Sequence, residues 1–287
     1  MISEDLKEYL NHRTDGYFEF KSDNLHGMRI KSCVRKYYFP NSCNCYVKEM
    51  LQGDESYPMV SAELLLSRLL PKLGIKSVEY LPFVNNKGII SVITKDISGR
   101  NISDGIEFFN EVMAKSAGNG NCFLNSEVLV FADEQNRGEL NTINNFHKYA
   151  NSDTFKQLHL LRAFDLATLN NDRNPGNLFI ERDEKDIGVG IIGLDYEMSG
   201  APSYYTNNYY STFSSKRLPG MDVIDAYKEN EDYQKYITRF EIAETIASAP
   251  FDETAREVKD EMGFVIEPNF LDRMKSNTDI VAEELVK

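Results

Sequence analysis

The sequence between Asn170 and Asp195 constrains the fold more tightly than any other segment of the chain. From Asn170 to Asn177 every residue is polar, proline or glycine, and the chain then switches at once to the apolar run LFI. A polar turn over residues 182–186 separates this run from a second one over residues 189–194. Two β-prone runs joined by a short polar turn predict an antiparallel β-hairpin.

The predicted pairing brings two oxygen-bearing side chains to the open end of the hairpin. If the tip lies near Asp186, Asn177 pairs with Asp195, because both lie nine positions from that tip. Directly opposed residues have Cβ atoms about 4.5–5.5 Å apart. An amide oxygen and a carboxylate at that spacing suit Mg²⁺, whose remaining sites phosphate oxygens and water can fill. Asp172, five residues before Asn177 on the preceding loop, is predicted to point at the same place.

A carboxylate beside a metal-bound triphosphate is what phosphoryl transfer requires, because the acceptor hydroxyl must be aligned and must lose its proton. The spacing D-x-x-x-x-N from Asp172 to Asn177, followed later by Asp195, matches the order of catalytic-loop and metal-binding residues in protein kinases. The alternative is an ordinary polar connection that uses Asn and Asp as turn residues. The hairpin and its Gly-Leu-Asp ending favour the catalytic interpretation.

A lysine and a glutamate form a second candidate pair. Lys48 lies within the β-prone run YVK, where a buried ammonium is costly without a partner. Glu63 lies fifteen residues later within the otherwise apolar helix SAELLLSRLL. A strand lysine that is held by a helix glutamate and directed at the ATP phosphates is typical of kinases. The alternative is an edge-strand lysine and a solvent-facing glutamate, which each residue alone would favour.

The order of the elements predicts an α+β fold class with two parts. Before residue 96 the chain reads as strands around one helix over residues 58–70, with β-prone runs at residues 37–39, 45–50, 78–81 and 88–93. After residue 96 the pattern is mainly helical, with a helix N-capped at Ser152-Asp153 and a helix-rich end from Tyr233. We therefore predict a β-rich N-terminal lobe over residues 1–96 and a mainly helical C-terminal lobe over residues 97–287.

Composition and charge argue against several classes of function. The 287 residues carry a net charge of -13, and an acidic surface repels phosphate backbones, so direct nucleic-acid binding is not expected. No stretch approaches the roughly 18 apolar residues that span a bilayer, and the N-terminus has no signal-peptide pattern. Four cysteines without a CxxC pair and four histidines without zinc-ligand spacing predict free thiols. We expect a soluble cytoplasmic protein without membrane association.

At these residues the sequence resembles the HipA-like serine/threonine kinases of bacteria. The similarity is tight from Phe164 to Glu197, where Asn170 to Asn177 is similar to the family's N-x-D-R-H-x-x-N loop, and looser over the rest of residues 27–197. This resemblance implies a two-lobed protein-kinase-like fold and a Mg-ATP-dependent enzyme that phosphorylates serine or threonine. It also implies that Asp172 is the catalytic base and that Asn177 and Asp195 bind Mg²⁺.

The same resemblance assigns roles in the N-terminal lobe. Lys48 would hold the ATP phosphates, and Glu63 would orient it. Gly27 and Arg29 would fall in the loop that covers the phosphates, although this region has one glycine where kinases have three. The segment over residues 92–96 would be the hinge that meets adenine. Each assignment is an expectation about geometry that the structure can test.

The acceptor and the partners stay open at this point. A protein substrate is favoured, and the alternatives are a lipid or small-molecule acceptor and a non-catalytic nucleotide-binding scaffold. Full-length HipA toxins carry an N-terminal module that we do not expect here, so no antitoxin-like partner is predicted. Residues 202–220 have the position of an activation loop, but their composition is also that of a flexible loop, which is the interpretation we prefer. The candidate autophosphorylation sites in this stretch are Ser211, Thr212, Ser214 and Ser215.

Overall fold

Strands dominate the first part of the chain and helices dominate the second. The computed structural model describes residues 18–19, 32–38, 44–50, 56–84, 90–97, 101–117, 149–170, 175–197 and 237–287, together with Gly99, Arg173, Ser199 and Lys228. The chain therefore has the α+β fold class that its sequence predicts. Among the described residues, no helix is long and apolar enough to cross a membrane.

A five-stranded antiparallel sheet forms the strand-rich part. Its order in space is β1-β2-β3-β6-β5, and its strands are β1 (Phe18–Glu19), β2 (Ser32–Tyr38), β3 (Asn44–Met50), β5 (Tyr80–Val84) and β6 (Ile90–Lys95). The strand β3 pairs with β2 on one edge and with β6 on the other. Its backbone is therefore fixed from both sides, and this strand carries Lys48.

The segment expected to form a hinge is instead the interior of a strand. Val92 and Ile93 are fully buried, and β6 is hydrogen-bonded to β3 and to β5. The chain leaves the sheet only after Lys95. Residues 92–95 of the predicted hinge are therefore held in the sheet rather than in a linker, and the contact of residues 92–96 with adenine stays a prediction.

The helix α1 (Ser56–Lys72) packs against β5 and β6. It is buried on nearly all sides, as its almost continuous apolar run requires. The sequence predicts that this helix ends at residue 70, with a break at Pro71 and Gly74, but the helix continues through Pro71 to Lys72. It ends because Gly74 takes a φ of 83°, a left-handed conformation that glycine adopts without strain.

The predicted hairpin is present as β8 (Leu178–Arg182) and β9 (Gly188–Gly193). It lies in a second sheet of order β4-β9-β8-β7, in which β4 (Lys76–Ser77) runs parallel to β9. The strand β7 (Ile102–Asp104), antiparallel to β8, was not predicted. This sheet joins a short strand that follows α1 to the hairpin, and it places the end of β9 beside α1.

The hairpin register differs from the predicted one by one residue. Asn177 lies opposite Leu194 rather than Asp195, and the Leu194 amide donates to the Asn177 carbonyl at 3.3 Å. The pairing shifts between Glu181 and Arg182. Counting symmetrically from the tip cannot anticipate such an irregularity in one strand.

The remaining described helices are α2 (Gly105–Ala117), α3 (Ser152–Thr168), α4 (Arg239–Ala247), α5 (Phe251–Met262) and α6 (Pro268–Val286). The central helix α3 packs against β9, α4 and α6. Its N-cap is Asn151, whose side chain accepts from the Thr154 amide at 2.8 Å, so the predicted cap at Ser152-Asp153 is one residue late. The lobe boundary at residue 96 stays a prediction.

Candidate active site

Lys48 is surrounded by acidic side chains. Its Nζ atom lies 2.7 Å from Oε1 of Glu63, 2.7 Å from Oδ1 of Asp195 and 3.2 Å from Oε2 of Glu197. The structure thus brings together three of the predicted site residues, from β3, from α1 and from the chain just past β9. A strand lysine, a helix glutamate and an aspartate at a hairpin end are the arrangement of the protein-kinase-like fold.

The cluster is buried on the side of α1 and open on the side of Asp195. The Lys48 side chain is 8% exposed, Glu63 is 0% exposed and Glu197 is 5% exposed. The Asp195 side chain is 26% exposed, so it is the acid that a ligand in solution can reach. Three carboxylates facing one ammonium leave the cluster with a surplus of negative charge.

The pKa values of Glu63 and Lys48, two buried members of the cluster, reflect this excess of negative charge. Burial raises the pKa of Glu63 to about 7, against the opposing effect of the Lys48 ammonium. Burial alone would lower the pKa of Lys48, but the carboxylates of Asp195, Glu63 and Glu197 outweigh it and raise that pKa well above its ordinary value. Lys48 is therefore held charged, and Glu63 is partly protonated near neutral pH.

The backbone at Asp195 is held in an uncommon conformation. Its φ is 62°, in the left-handed region, which Asp adopts more often than most residues. The Asp195 amide donates to the Tyr80 hydroxyl at 3.3 Å, and the next amide, of Tyr196, donates to Oε2 of Glu63 at 2.9 Å. Glu63 therefore binds both Lys48 and the backbone that follows Asp195. Strained backbone of this kind is often found at functional sites.

Tyr196 fixes the chain on the other side of Asp195. Its hydroxyl lies 2.8 Å from the Ser77 hydroxyl on β4, and its ring lies under the guanidinium of Arg173, 5.2 Å from ring centroid to Cζ. Gly193 makes room for it, because a Cβ atom at that position would overlap the Tyr196 hydroxyl oxygen. The side chain is 1% exposed and so acts as a buried anchor.

A buried arginine joins the loop before the hairpin to the end of β9. Arg173 donates to both carboxylate oxygens of Asp165 on α3, at 2.9 and 3.0 Å. It also donates to the backbone carbonyls of Asn177 at 2.7 Å and Leu194 at 2.6 Å. The Asn170 amide group donates to the same Asp165 at 3.1 Å. These contacts fix the two ends of the hairpin against α3.

The other predicted site residues are placed less fully. Asn177 is buried immediately before β8. Its backbone carbonyl accepts hydrogen bonds from Arg173 and from the Leu194 amide. Asp172, Gly27 and Arg29 lie outside the described residues, as does the stretch over residues 202–220. Their roles stay predictions.

Sequence reasoning assigned no role to Glu197, Asp165 or Arg173. Asp165 is the buried acid of helix α3, and the same signal that singled out Glu63 in α1 could have found it. Glu197 follows Asp195 by two residues, next to an apolar strand, where a charged residue needs a partner. The partner of Glu197 is Lys48, which lies far away in sequence, whereas Asp165 and Arg173 pair with each other eight positions apart.

The chain is similar to solved structures of kinases at low sequence identity. No protein-family model matches the sequence, and no curated protein matches it. Among solved structures, the proinflammatory kinase CtkA of Helicobacter pylori is 15% identical, and the match covers 94% of this chain and 97% of that one with a TM-score of 0.48. HipA of Shewanella oneidensis MR-1, solved with HipB and operator DNA, is 12% identical, with 100% and 71% covered and a TM-score of 0.41.

A third match is the choline kinase LicA from Streptococcus pneumoniae, at 14% identity, with 97% and 98% of the two chains covered and a TM-score of 0.30. Identities of 12–15% say nothing about which substrate this chain uses. The chemistry of this chain therefore depends on what Lys48, Glu63 and Asp195 can do, and not on these likenesses.

Proposed function

We propose that this protein is a Mg-ATP-dependent phosphotransferase and, more specifically, a HipA-like serine/threonine protein kinase. The observation that carries the proposal is the position of Lys48, whose Nζ atom lies 2.7 Å from both Glu63 and Asp195. A buried strand ammonium between a helix glutamate and a hairpin-end aspartate is how kinases prepare a lysine to bind ATP phosphates. An ion pair with a purely structural role would not need the partly exposed Asp195 as one member.

The residues that would hold the cation fit Mg²⁺ by their chemistry. Glu63, Asp195 and Glu197 place carboxylate oxygens within 4.8 Å of one another, but Glu63 and Glu197 are buried against Lys48, which leaves Asp195 to bind the cation. Mg²⁺ prefers oxygen ligands and keeps several waters, so one exposed carboxylate such as Asp195 suits it. Asn177 is the second proposed ligand. A bound Mg²⁺ would neutralise charge on the ATP phosphates.

The reaction that we assign is the transfer of the γ-phosphoryl group of ATP to a hydroxyl. The acceptor oxygen forms a bond to the γ-phosphorus while the bond from that phosphorus to the β,γ-bridging oxygen breaks, and ADP leaves. The hydroxyl proton passes to the carboxylate of Asp172, the proposed base. Lys48 stabilises the negative charge on the phosphates, and Glu63 keeps its ammonium in place.

A transfer assay tests the proposal directly. Purified protein is incubated with γ-labelled ATP and Mg²⁺, and label is sought on the protein itself and on casein. We expect label on serine or threonine, its loss in Asp172→Ala, and a loss of at least 100-fold in Lys48→Met and Asp195→Asn. The matched controls are Lys259→Met and Asp260→Asn, both exposed on α5, which should retain activity.

The outcomes separate the candidate functions. Transfer only to an added lipid or metabolite would assign a small-molecule acceptor to the same site and overturn the protein-kinase assignment. Binding of Mg-ATP without transfer to any acceptor would indicate a nucleotide-binding scaffold. No binding of Mg-ATP by the wild-type protein would overturn the phosphotransferase proposal as a whole.

A further inference from the structure

We propose that Glu197 is a positioning residue that acts as a second carboxylate anchor for Lys48, and that it keeps the ammonium in place when Asp195 turns to a cation. This inference rests on the proposed function for the role of Lys48 toward ATP. The D-F-G motif of protein kinases has a glycine two residues after the metal-binding aspartate, whereas this chain reads Asp195-Tyr196-Glu197.

The first support is the contact itself. Oε2 of Glu197 lies 3.2 Å from Nζ of Lys48, within ion-pair distance. Glu63 and Asp195 accept hydrogen bonds from the same nitrogen at 2.7 Å, so Glu197 is the more distant of three acids. An ammonium has three hydrogens and no acceptor, and it can turn toward whichever acids remain. Glu197 is therefore placed to take over a hydrogen that Asp195 gives up.

The second support is burial. Glu197 is 5% exposed, and a buried carboxylate costs several kcal/mol in desolvation unless an opposite charge compensates it. An apolar or small side chain would fill this place without that cost. A charge so close to the shared ammonium is consistent with a role toward Lys48 rather than with packing alone.

The third support is that Glu63, unlike Glu197, is shown to bind a backbone amide as well as Lys48. Glu63 uses Oε1 for Lys48 and Oε2 for the Tyr196 amide. One of its oxygens is thus committed to the backbone beside Asp195. If that backbone shifts when Asp195 binds a cation, Glu63 moves with it and its contact with Lys48 is weakened. A second carboxylate keeps the ammonium directed when this happens.

The first test needs no nucleotide and so does not depend on the proposed function. Lys48 acetylation by a small amine-reactive reagent is followed by peptide mass spectrometry at fixed pH in metal-free buffer. The Glu197 carboxylate 3.2 Å away holds the amine within the buried cluster, and removing a contact between charged groups frees it, so Glu197→Gln should speed the labelling of Lys48 about tenfold. Glu197→Asp, which keeps the charge on a shorter side chain, should give a rate between the two.

The matched control lies in the same hairpin. Glu181 on β8 pairs with the exposed Lys76 at 2.7 Å, so Glu181→Gln removes a carboxylate that does not contact Lys48. It should leave the Lys48 rate unchanged. Thermal unfolding shows whether each variant is folded at the labelling temperature, and Glu197→Asp carries the test if Glu197→Gln is not. A Lys48 rate equal to that of wild type in folded Glu197 variants would overturn the contact.

The second test measures binding of Mg-ATP by calorimetry in a double-mutant cycle. If the two glutamates are alternative anchors, Glu63→Gln and Glu197→Gln should each weaken binding about 3–10-fold, and the double variant should lose more than the product of the two effects. A double variant that loses no more than the product would overturn the shared role. Wild-type protein that fails to bind Mg-ATP would sink the proposed function, while the labelling test would still decide whether Glu197 anchors Lys48.

Discussion

The ammonium of Lys48 and the carboxylate of Asp195 lie 2.7 Å apart although 147 positions separate them in the sequence. This contact joins the middle of β3 to the chain just past β9. It therefore forms only when both sheets are in place around α1. Glu63 and Glu197 share the same ammonium, so the stability of the fold and the proposed chemistry depend on one cluster.

Replacing Lys48 by methionine is expected to destabilise the protein as well as to abolish nucleotide binding. The substitution leaves three neighbouring acids without a counter-charge, and removing one partner of a buried ion pair costs about 3–5 kcal/mol. Urea unfolding at pH 8 measures this loss. We expect a smaller loss at pH 6, because Glu63, whose pKa is raised to about 7, then takes up a proton. The control Lys259→Met should change little, and an unfolding free energy equal to that of wild type in Lys48→Met would contradict the cluster.

The raised pKa of Glu63 predicts how stability depends on pH. In the folded protein the pKa of Glu63 is raised to about 7, against an ordinary value of 4.5 in the unfolded chain. Between these two values the folded protein holds a proton that the unfolded chain has released. The contribution of Glu63 to stability is therefore fully present below pH 4.5 and is lost as the pH rises through 7, by at most about 1.4 kcal/mol per pH unit.

This dependence is measured by urea unfolding between pH 5 and pH 8 in buffer that contains a chelator. The comparison is with Glu63→Gln, which resembles the protonated acid and does not titrate. The difference in unfolding free energy between the two proteins should shift steadily in favour of the variant as the pH rises. A difference that stays constant over this range would show that Glu63 does not carry the proton.

Asp165 is expected to matter for nucleotide binding although it pairs with Arg173 rather than with Lys48. Asp165→Asn leaves the buried guanidinium of Arg173 without its counter-charge, at a cost of about 3–5 kcal/mol. It also loosens the hold of Arg173 on the backbone carbonyls of Asn177 and Leu194. Asp195 follows Leu194 directly, so we expect weaker Mg-ATP binding by calorimetry.

The matched control is Asp252→Asn, which removes an acid paired at 2.8 Å with Lys275 on the surface. An exposed pair of this kind contributes little. If Asp165→Asn unfolds at the same urea concentration as Asp252→Asn, the buried pair does not brace the hairpin in the way described.

The parts of the site that sequence reasoning predicted are those with a local signal. Lys48 is a charged residue within a β-prone run, and Glu63 is a charged residue within an apolar helix. Each needs an oppositely charged partner when it is buried, so their pairing could be predicted. The hairpin follows from two apolar runs and a polar turn. The exact register of the hairpin cannot be predicted in this way, because the register shift between Glu181 and Arg182 depends on how β8 pairs with β7 and β9.

The parts that were missed depend on contacts between distant segments. The Ser77 hydroxyl meets the Tyr196 hydroxyl across 119 positions, and β4, which carries Ser77, is two residues long. A strand of this length is too short to show an alternation of apolar and polar residues, so the sequence does not predict it. Glu197 is recognised as part of the cluster only once Lys48 is known to lie beside the end of β9. Long-range packing, rather than local propensity, decides these contacts.

Gly193 is expected to tolerate a side chain only if Tyr196 loses its hydroxyl. In Gly193→Ala the new Cβ atom would overlap the Tyr196 hydroxyl oxygen and push it away from Ser77, which we expect to cost about 1–3 kcal/mol. The next ring atom, Cζ, would lie 3.5 Å away, at ordinary contact distance. Tyr196→Phe removes the overlapping atom but also a hydrogen bond that contributes about 1 kcal/mol.

The two substitutions should therefore compensate each other. Urea unfolding of the wild type, the two single variants and the double variant measures their coupling, and we expect the double variant to be more stable than Gly193→Ala alone. Gly99→Ala is the control for the added methyl group, since its nearest neighbour would be the Ile97 carbonyl oxygen at 4.0 Å. If the losses of the two single variants simply add, Tyr196 does not lie over Gly193 and cannot hold the backbone of Asp195 in place through Ser77. If they compensate, the same four proteins should rank in the same order in Mg-ATP binding, because the position of Asp195 follows that of Tyr196.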